Sequence, residues 1–335
     1  MRAIRLNAPQ ALEVADIPEP EPGPGEVLVE LKAAALNHRD AWMHAGQYAN
    51  LKFPCIPGSD GAGVVVAAGP GASRAWIGKE VIIDPAFDWG PDPKAQADQF
   101  TILGLPRQGT FAEKIAVPAL QLADKPPGLT WEEAAAVPLA GLTAWRALMS
   151  RGGFTPLDRV LISGIGGGVA LFALQFAAAH EAEVWVTSSS EDKISLAVAH
   201  GARGGFLYTQ EGWAKEAVRK TGGFDLIVDG AGGAGFNQLI ESAAPGGRIV
   251  FYGATRGNPP ELSLRKVFWR QLSLHGTTMG GPADWLAMTD FMGKAVIKPV
   301  ISEVFPFERA AEAFELMERG GQFGKIVLRM ASSGR

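Results

Sequence analysis

Apolar and polar residues alternate in short runs through the first third of the chain, at residues 11–17, 26–35, 61–68, 80–84 and 110–117. Runs of this length and period predict strands with one buried face. Proline and glycine punctuate them, most densely at Pro18-Glu19-Pro20-Glu21-Pro22-Gly23-Pro24-Gly25. Proline fixes φ and removes an amide donor, so this segment is expected to be a rigid loop between strands. Short strands with frequent turns predict a compact, mostly antiparallel barrel or sandwich.

After Leu129 the period changes. Residues 131–137 and 141–151 read as helices, the first opened by Thr130 with Glu133 at capping-box spacing. Then strands alternate with helices: strand 159–163, helix 169–180, strand 183–188, helix 192–200, strand 205–208, helix 211–221, strand 225–229, helix 236–243 and strand 248–253. That rhythm predicts a parallel sheet wrapped by helices. A helix at 283–294, a strand at 300–305, a helix from Phe307 and a strand at 325–329 follow. This last piece is too small to build its own core and is expected to return to the first domain.

The chain has 335 residues, a length suggesting roughly two domains. With 47% apolar and 20% charged residues it can bury more than one core, which excludes global disorder. Lys and Arg number 31 against 35 Asp and Glu, a net charge of −4, so nucleic acid is not an expected partner. A single cysteine, Cys55, excludes an intramolecular disulfide and any site of several thiolates. Residues 1–9 show no apolar run followed by a small-residue cleavage site, so no export signal is expected. The most hydrophobic stretch, residues 160–179, contains Ser163, Gly164 and Gly166-Gly167-Gly168, a turn signature that argues against a membrane span. A cytoplasmic location is expected.

Those glycines carry the main chemical signal. Val160 to Ser163 predicts a strand, Gly164-Ile165-Gly166-Gly167-Gly168 a turn, and Val169 onward an apolar helix. Glycines there let the backbone approach a pyrophosphate, and the helix N-terminus supplies amide donors and a positive dipole end. A second strand begins about 20 residues further on, as dinucleotide binding requires. Gly164, Gly167, Gly168 and Val169 are expected beneath the pyrophosphate; the plainer alternative is a helix-start turn.

An acidic residue closing the second strand would hold the ribose 2′-hydroxyl of NAD. This strand ends instead in Ser188-Ser189-Ser190, with Lys193 one short turn later. Hydroxyls and an ammonium suit a phosphate, so Ser188, Ser189 and Lys193 point to NADPH rather than NADH. Glu191 and Asp192 fit as first-turn residues of the next helix.

The chain resembles the medium-chain dehydrogenase/reductase superfamily, and within it the zinc-independent branch that includes quinone oxidoreductases. The likeness rests on residues 36–40 (Leu-Asn-His-Arg-Asp), 57–65, 109–113, 134–144, the glycine turn running on to Gln175, and 324–328. It implies an α/β protein: a GroES-like β-barrel catalytic domain from residues 1–123 and 282–335, plus a Rossmann doubly wound parallel-sheet domain at 124–281. A cofactor cleft between the two is part of that implication.

Zinc alcohol dehydrogenases of the superfamily carry a cysteine in Cys-x-x-Asp and a histidine in Gly-His-Glu. By alignment of these motifs those positions are Asn37 and Ser59, while Asp40 and Asp60 remain acidic. Neither Asn nor Ser is a usual zinc ligand, so no metal is expected. The region 89–109, which carries a four-cysteine zinc in relatives, has no cysteine. Without a Lewis acid, hydride delivery to a quinone or to the β-carbon of an enone or alkenal is favoured, because charge delocalises onto a distant oxygen.

By the same resemblance, Tyr208 stands near the 2′-phosphate, and Thr143, Gly253, Met279 and Lys325 line the nicotinamide side. Ala170 takes the place of a third glycine. Asn37, Asp40, Tyr48 and Ser59, with Asp60, are the candidates for the substrate mouth. Tyr48 is the one that can both donate a proton and stack on a planar ring. Trp42 and Trp89 could add aromatic walls or fill core. Residues 272–279 read as the last strand of the sheet, which relatives pair across a two-fold axis; a homodimer is expected. Two rival readings are a cofactor-binding protein without turnover and an alcohol dehydrogenase with substituted zinc ligands.

Overall fold

Strand β1 (Arg2–Ala8) pairs antiparallel with β2 (Ala11–Asp16), and Gln10 in the turn takes φ 61. The computed structural model of the chain describes residues 1–295 and 297–330; Val296 and residues 331–335, which fall in the stretch 282–335 assigned above, lie outside the described residues. The pattern did not announce β1, whose alternation is broken by arginines, nor the short strands at residues 86–87, 101–102 and 122–124. The loop at residues 18–25 is free of strand, as its prolines require.

β3 (Glu26–Ala35) is the longest strand and pairs antiparallel with β4 (Asp60–Ala68). Helix α1 (His38–His44) follows β3 directly. β5 (Glu80–Ile83) continues the sheet beyond β4, β6 (Ala86–Phe87) and β7 (Thr101–Ile102) form a small pair, β8 (Lys114–Pro118) lies against β3, and β9 (Leu122–Asp124) against β5. The strand expected at 110–117 starts only at Lys114. Before it, the amides of Thr110 and Phe111 donate to the carbonyls of Gly58 and Pro57, which takes them out of the ladder.

The capping box at Thr130 forms: Glu133 N donates to Thr130 Oγ1 at 3.2 Å, and Thr130 N to Glu133 Oε2 at 2.8 Å. It opens α2 (Trp131–Ala135), which ends ahead of Pro138, the first residue of α3 (Pro138–Trp145). The helix expected at 141–151 thus begins earlier and continues as a π-helical turn over Arg146–Arg151.

The alternating region is a six-stranded, all-parallel sheet of β10 (Arg159–Ile162), β11 (Glu183–Ser188), β12 (Gly204–Leu207), β13 (Phe224–Asp229), β14 (Ala243–Phe251) and β15 (Ser273–Gly276). The order is β12-β11-β10-β13-β14-β15, a doubly wound sheet whose strand order reverses between β10 and β13. Val160, Leu161 and Ile162 of β10 are all fully buried, as continuous apolar runs in parallel sheets are. Helices α4 (Gly168–Ala179), α5 (Glu191–Ala199), α6 (Trp213–Thr221), α7 (Phe236–Ser242) and α8 (Leu264–Trp269) connect the strands. The edge strand expected at 272–279 is shorter, ending at Gly276.

α9 (Pro282–Lys294), β16 (Ile301–Pro306), α10 (Ala310–Arg319) and β17 (Lys325–Arg329) complete the chain, and β17 pairs antiparallel with β3. The chain divides into two compact units, Met1–Ala140 with Gly281–Arg335, and Gly141–Gly280. Residues 124–140 and Gly281, assigned above to the Rossmann portion, belong with the barrel. The barrel core gathers Phe111, Phe307, Phe314, Leu31 and Ile326; the sheet unit buries Phe206, Trp213, Phe224 and Ile227.

Candidate functional site

In the barrel unit the site is a buried polar network. α1 opens at Asn37, whose backbone N–H donates to Asp40 Oδ2 at 2.8 Å. Asp40 therefore serves this helix end, and the Asn37 side chain is released to bond elsewhere. Its Nδ2 donates to Asp60 Oδ2 at 2.9 Å, and its Oδ1 accepts from Lys325 Nζ at 2.7 Å. Lys325 also donates to Leu36 O at 2.7 Å and Asp60 Oδ2 at 2.8 Å. The other oxygen, Asp60 Oδ1, accepts from Leu139 N at 2.7 Å. The ammonium thus uses all three of its protons within the barrel, on Leu36, Asn37 and Asp60.

Arg39 ties the remaining candidates together. One guanidinium nitrogen donates to Ser59 Oγ at 2.6 Å and to Leu103 O at 2.5 Å, and Ser59 Oγ donates to the same carbonyl at 2.7 Å. Its Nε donates to Tyr48 Oη at 3.3 Å, with the guanidinium 5.0 Å from the ring centroid. Burial pushes the Asp40 carboxyl above the usual carboxylate range, opposed by Arg39 and by the amides of Asn37 and Gly58. Trp42 is 37% exposed, whereas Trp89 is buried with Nε1 donating to Asp92 O, a core residue rather than a wall. Sequence reasoning missed Arg39, since an arginine in a first helical turn ordinarily points to solvent, and nothing local announces its burial.

In the sheet unit, Gly164 takes φ +65 and its N–H donates to Thr187 Oγ1 at 3.0 Å, docking the turn on β11. Gly167 is the N-cap of α4 at φ −83, ψ 161, and a Cβ there would meet nothing within 4 Å. Open space thus faces the first amides of α4, at Gly168, Val169 and Ala170, which have no acceptor inside the helix. Ala170 is buried, consistent with close helix–strand packing.

The three serines differ. Ser188 is buried and its Oγ accepts from Ser190 N at 3.1 Å; Ser190 caps α5, accepting from Lys193 N at 3.4 Å; Ser189 is exposed. Tyr208 follows β12, its N–H donating to Ser188 O at 3.0 Å. Thr143 Oγ1 lies 3.9 Å from Met279 Sδ, both buried, and Met279 takes φ 44, a strained conformation of the kind held at functional sites. At Gly253 a Cβ would stand 3.0 Å from Gly230 O.

These residues fit a dinucleotide: open space over a capless helix start, and hydroxyls at the end of β11. The barrel positions do not fit zinc. Both ends of the Asn37 amide and the Ser59 hydroxyl are engaged, and an ammonium already lies against the Asn37 oxygen. Among the described residues no group of three or more His, Cys, Asp or Glu side chains is placed to hold a metal ion, and no helix is long and apolar enough to cross a membrane.

A GroES-like barrel and a six-stranded parallel sheet with a glycine turn define a dehydrogenase-type oxidoreductase. Residues 23–127 match the model of the alcohol dehydrogenase GroES-like domain, and residues 168–294 that of the zinc-binding dehydrogenases. The chain belongs to the medium-chain dehydrogenase/reductase superfamily. It is 36% identical to a zinc-type alcohol dehydrogenase-like protein, YogA, of Leptosphaeria maculans, over 95% of this chain and 94% of the relative. It is 28% identical to an acryloyl-coenzyme A reductase of Sulfurisphaera tokodaii, over 98% and 100%. The crystal structure of an NAD-dependent alcohol dehydrogenase superposes with a TM-score of 0.93 at 42% identity, covering 98% of this chain and 99% of that one.

Proposed function

We propose that this protein is an NADPH-dependent oxidoreductase that reduces a quinone or an activated C=C bond, an enone or alkenal, without zinc. The observation that carries the reading is the saturated Asn37–Lys325–Asp60 network at the position where zinc enzymes of the superfamily hold their metal. When bound, the nicotinamide supplies a hydride. The turn at Gly164, Gly167 and Gly168 holds the pyrophosphate against the start of α4. Ser189 and Lys193 favour the phosphorylated ribose, although the similar structure is named for NAD.

Reduction of a C=C bond needs one proton besides the hydride. Tyr48 Oη accepts from Arg39 Nε, which leaves its own proton to be given to the carbon or oxygen that becomes basic. Arg39 fixes both ring and oxygen in place. The acryloyl-coenzyme A reductase among the relatives agrees with an activated alkene as acceptor.

The test is an assay of purified protein with NADPH against quinones and alkenals, with and without a strong chelator. Turnover that survives chelation is expected. Zinc-dependent oxidation of simple alcohols in its place overturns the proposal.

A further inference from the structure

The barrel unit carries a cavity of about 270 Å³. Ile17, Ile56, Phe87, Leu103, Ile115 and Val117 give it apolar walls, and Pro18 and Pro20 extend them with the rigid loop that follows β2. It shares no lining residue with the network of Asn37, Asp40, Tyr48 and Ser59. Two cationic side chains line it, Arg107 and Lys114, and among the described residues that do so there is no Asp or Glu. Their carboxylate partners lie outside the lining. Lys114 Nζ stands 2.6 Å from Glu19 Oε1, and Arg107 Nη2 stands 3.5 Å from Asp88 Oδ2, with the acids 47% and 54% exposed. Exposed pairs of this kind contribute little and exchange readily. The Arg107 guanidinium also stands 4.9 Å from the ring centroid of Phe87, one of the walls. Stacking of this kind pre-orders the guanidinium fork without using its N–H donors. The walls are pinned as well. Gln108 Oε1 accepts from Ile56 N at 2.6 Å, and Leu103 O accepts from Arg39 and Ser59. A cavity shaped before its ligand arrives costs little ordering on binding.

We propose that this cavity is a binding site for a small apolar carboxylate, its hydrocarbon against Ile56, Phe87 and Val117 and its head on Arg107 and Lys114. At roughly 30 Å³ per water-sized group, 270 Å³ holds about nine non-hydrogen atoms, close to the size of octanoate. The apolar walls favour the hydrocarbon, and a planar carboxylate matches the guanidinium fork with two parallel bonds. A neutral head of the same length gives the two cations nothing comparable to bind. The site does not depend on the reduction chemistry proposed above.

The experiment is isothermal titration calorimetry of the full chain with octanoate and with octan-1-ol, alongside thermal melts. Octanoate should bind wild type with a Kd below about 1 mM, and octan-1-ol roughly tenfold more weakly. Arg107→Gln/Lys114→Gln removes two partly exposed charges; it should weaken octanoate at least roughly tenfold, the factor for one charge-assisted contact, and leave octan-1-ol unchanged. Ala116 of β8 lines the cavity, so Ala116→Phe puts a ring into it and should abolish binding of both compounds with the melting temperature unchanged. Should Ala116→Phe melt early, the charge variant decides by itself. Octanoate that fails to bind by about 10 mM, that binds no better than octan-1-ol, or that binds the charge variant as tightly as wild type overturns the proposal. Binding retained by a folded Ala116→Phe places the ligand elsewhere and overturns it too.

Discussion

Lys325 Nζ stands 2.8 Å from Asp60 Oδ2, and the two side chains are only 4% and 0% exposed. Such a pair is costly to break from one side, because the partner is left as an uncompensated buried charge. Lys325→Met or Asp60→Asn should each lower stability by about 3–5 kcal/mol. The double variant Lys325→Met/Asp60→Asn should lose less than the two together, read by urea unfolding. Strictly additive losses would show that the two groups are not coupled.

Gly167 separates folding from binding. Its φ of −83 and ψ of 161 are those of an ordinary N-cap, and the space beyond its Cα is open. Asp is a favoured cap residue, so Gly167→Asp should fold with its melting temperature unchanged or slightly raised. Its carboxylate would then occupy the place of the pyrophosphate and repel it. Dinucleotide affinity should fall by roughly 100-fold or more, on the scale of a buried like-charge contact. Intact binding in this variant would mean that the cofactor lies elsewhere.

Asp84 is 4% exposed and its carboxyl is pushed up to about 7 by burial, with one backbone donor, Ala86 N, opposing. Between pH 4 and 7 the folded state keeps this proton while the unfolded chain gives it up. Stability contributed here is therefore full in acid and falls as pH rises through that window. Asp84→Asn removes the titration and keeps an acceptor for Ala86. The variant should match wild type near pH 4 and exceed it at pH 8, by at most roughly 4 kcal/mol. Thermal melts at the two pH values decide; a gap independent of pH would refute the titration.

We propose that the homodimer expected from the sequence would bury the surface at the end of the sheet. β15 ends its sheet, and on the neighbouring α8 Leu264, Phe268 and Trp269 are 65%, 67% and 81% exposed. Large apolar side chains at this exposure are the kind of surface that such a dimer would cover. Sedimentation should show a dimer at micromolar concentration, and Phe268→Glu/Trp269→Glu should yield folded monomer. A dimer unmoved by that double change would place the interface elsewhere.

The sheet unit was legible almost strand by strand, because the strands β10, β11 and β13 are continuous buried runs and each helix starts at glycine, serine or proline. The Thr130 cap, the Gly164–Gly168 turn and the run of β10 followed from local rules that tertiary packing did not override. The barrel was less legible. The two-residue strands β6 and β7 pair only with each other across the intervening loop, and β1 is docked by bridges to Cys55 and Ala112, which no local period reveals. The same holds for the site. Asn37, Asp40 and Ser59 could be picked as polar residues in motifs, but their pairing with Lys325 and Arg39 depends on the β17–β3 register and on the burial of α1.

That register has a consequence for biogenesis. Asn37 and Asp60 leave the ribosome long before Lys325, and the intervening sheet unit is synthesised in between. Until β17 pairs with β3, the Asp60 carboxylate lacks its ammonium partner. The polar network around Asn37 is thus completed only by a strand nearly 290 residues further along the chain, which ties its assembly to long-range closure of the barrel.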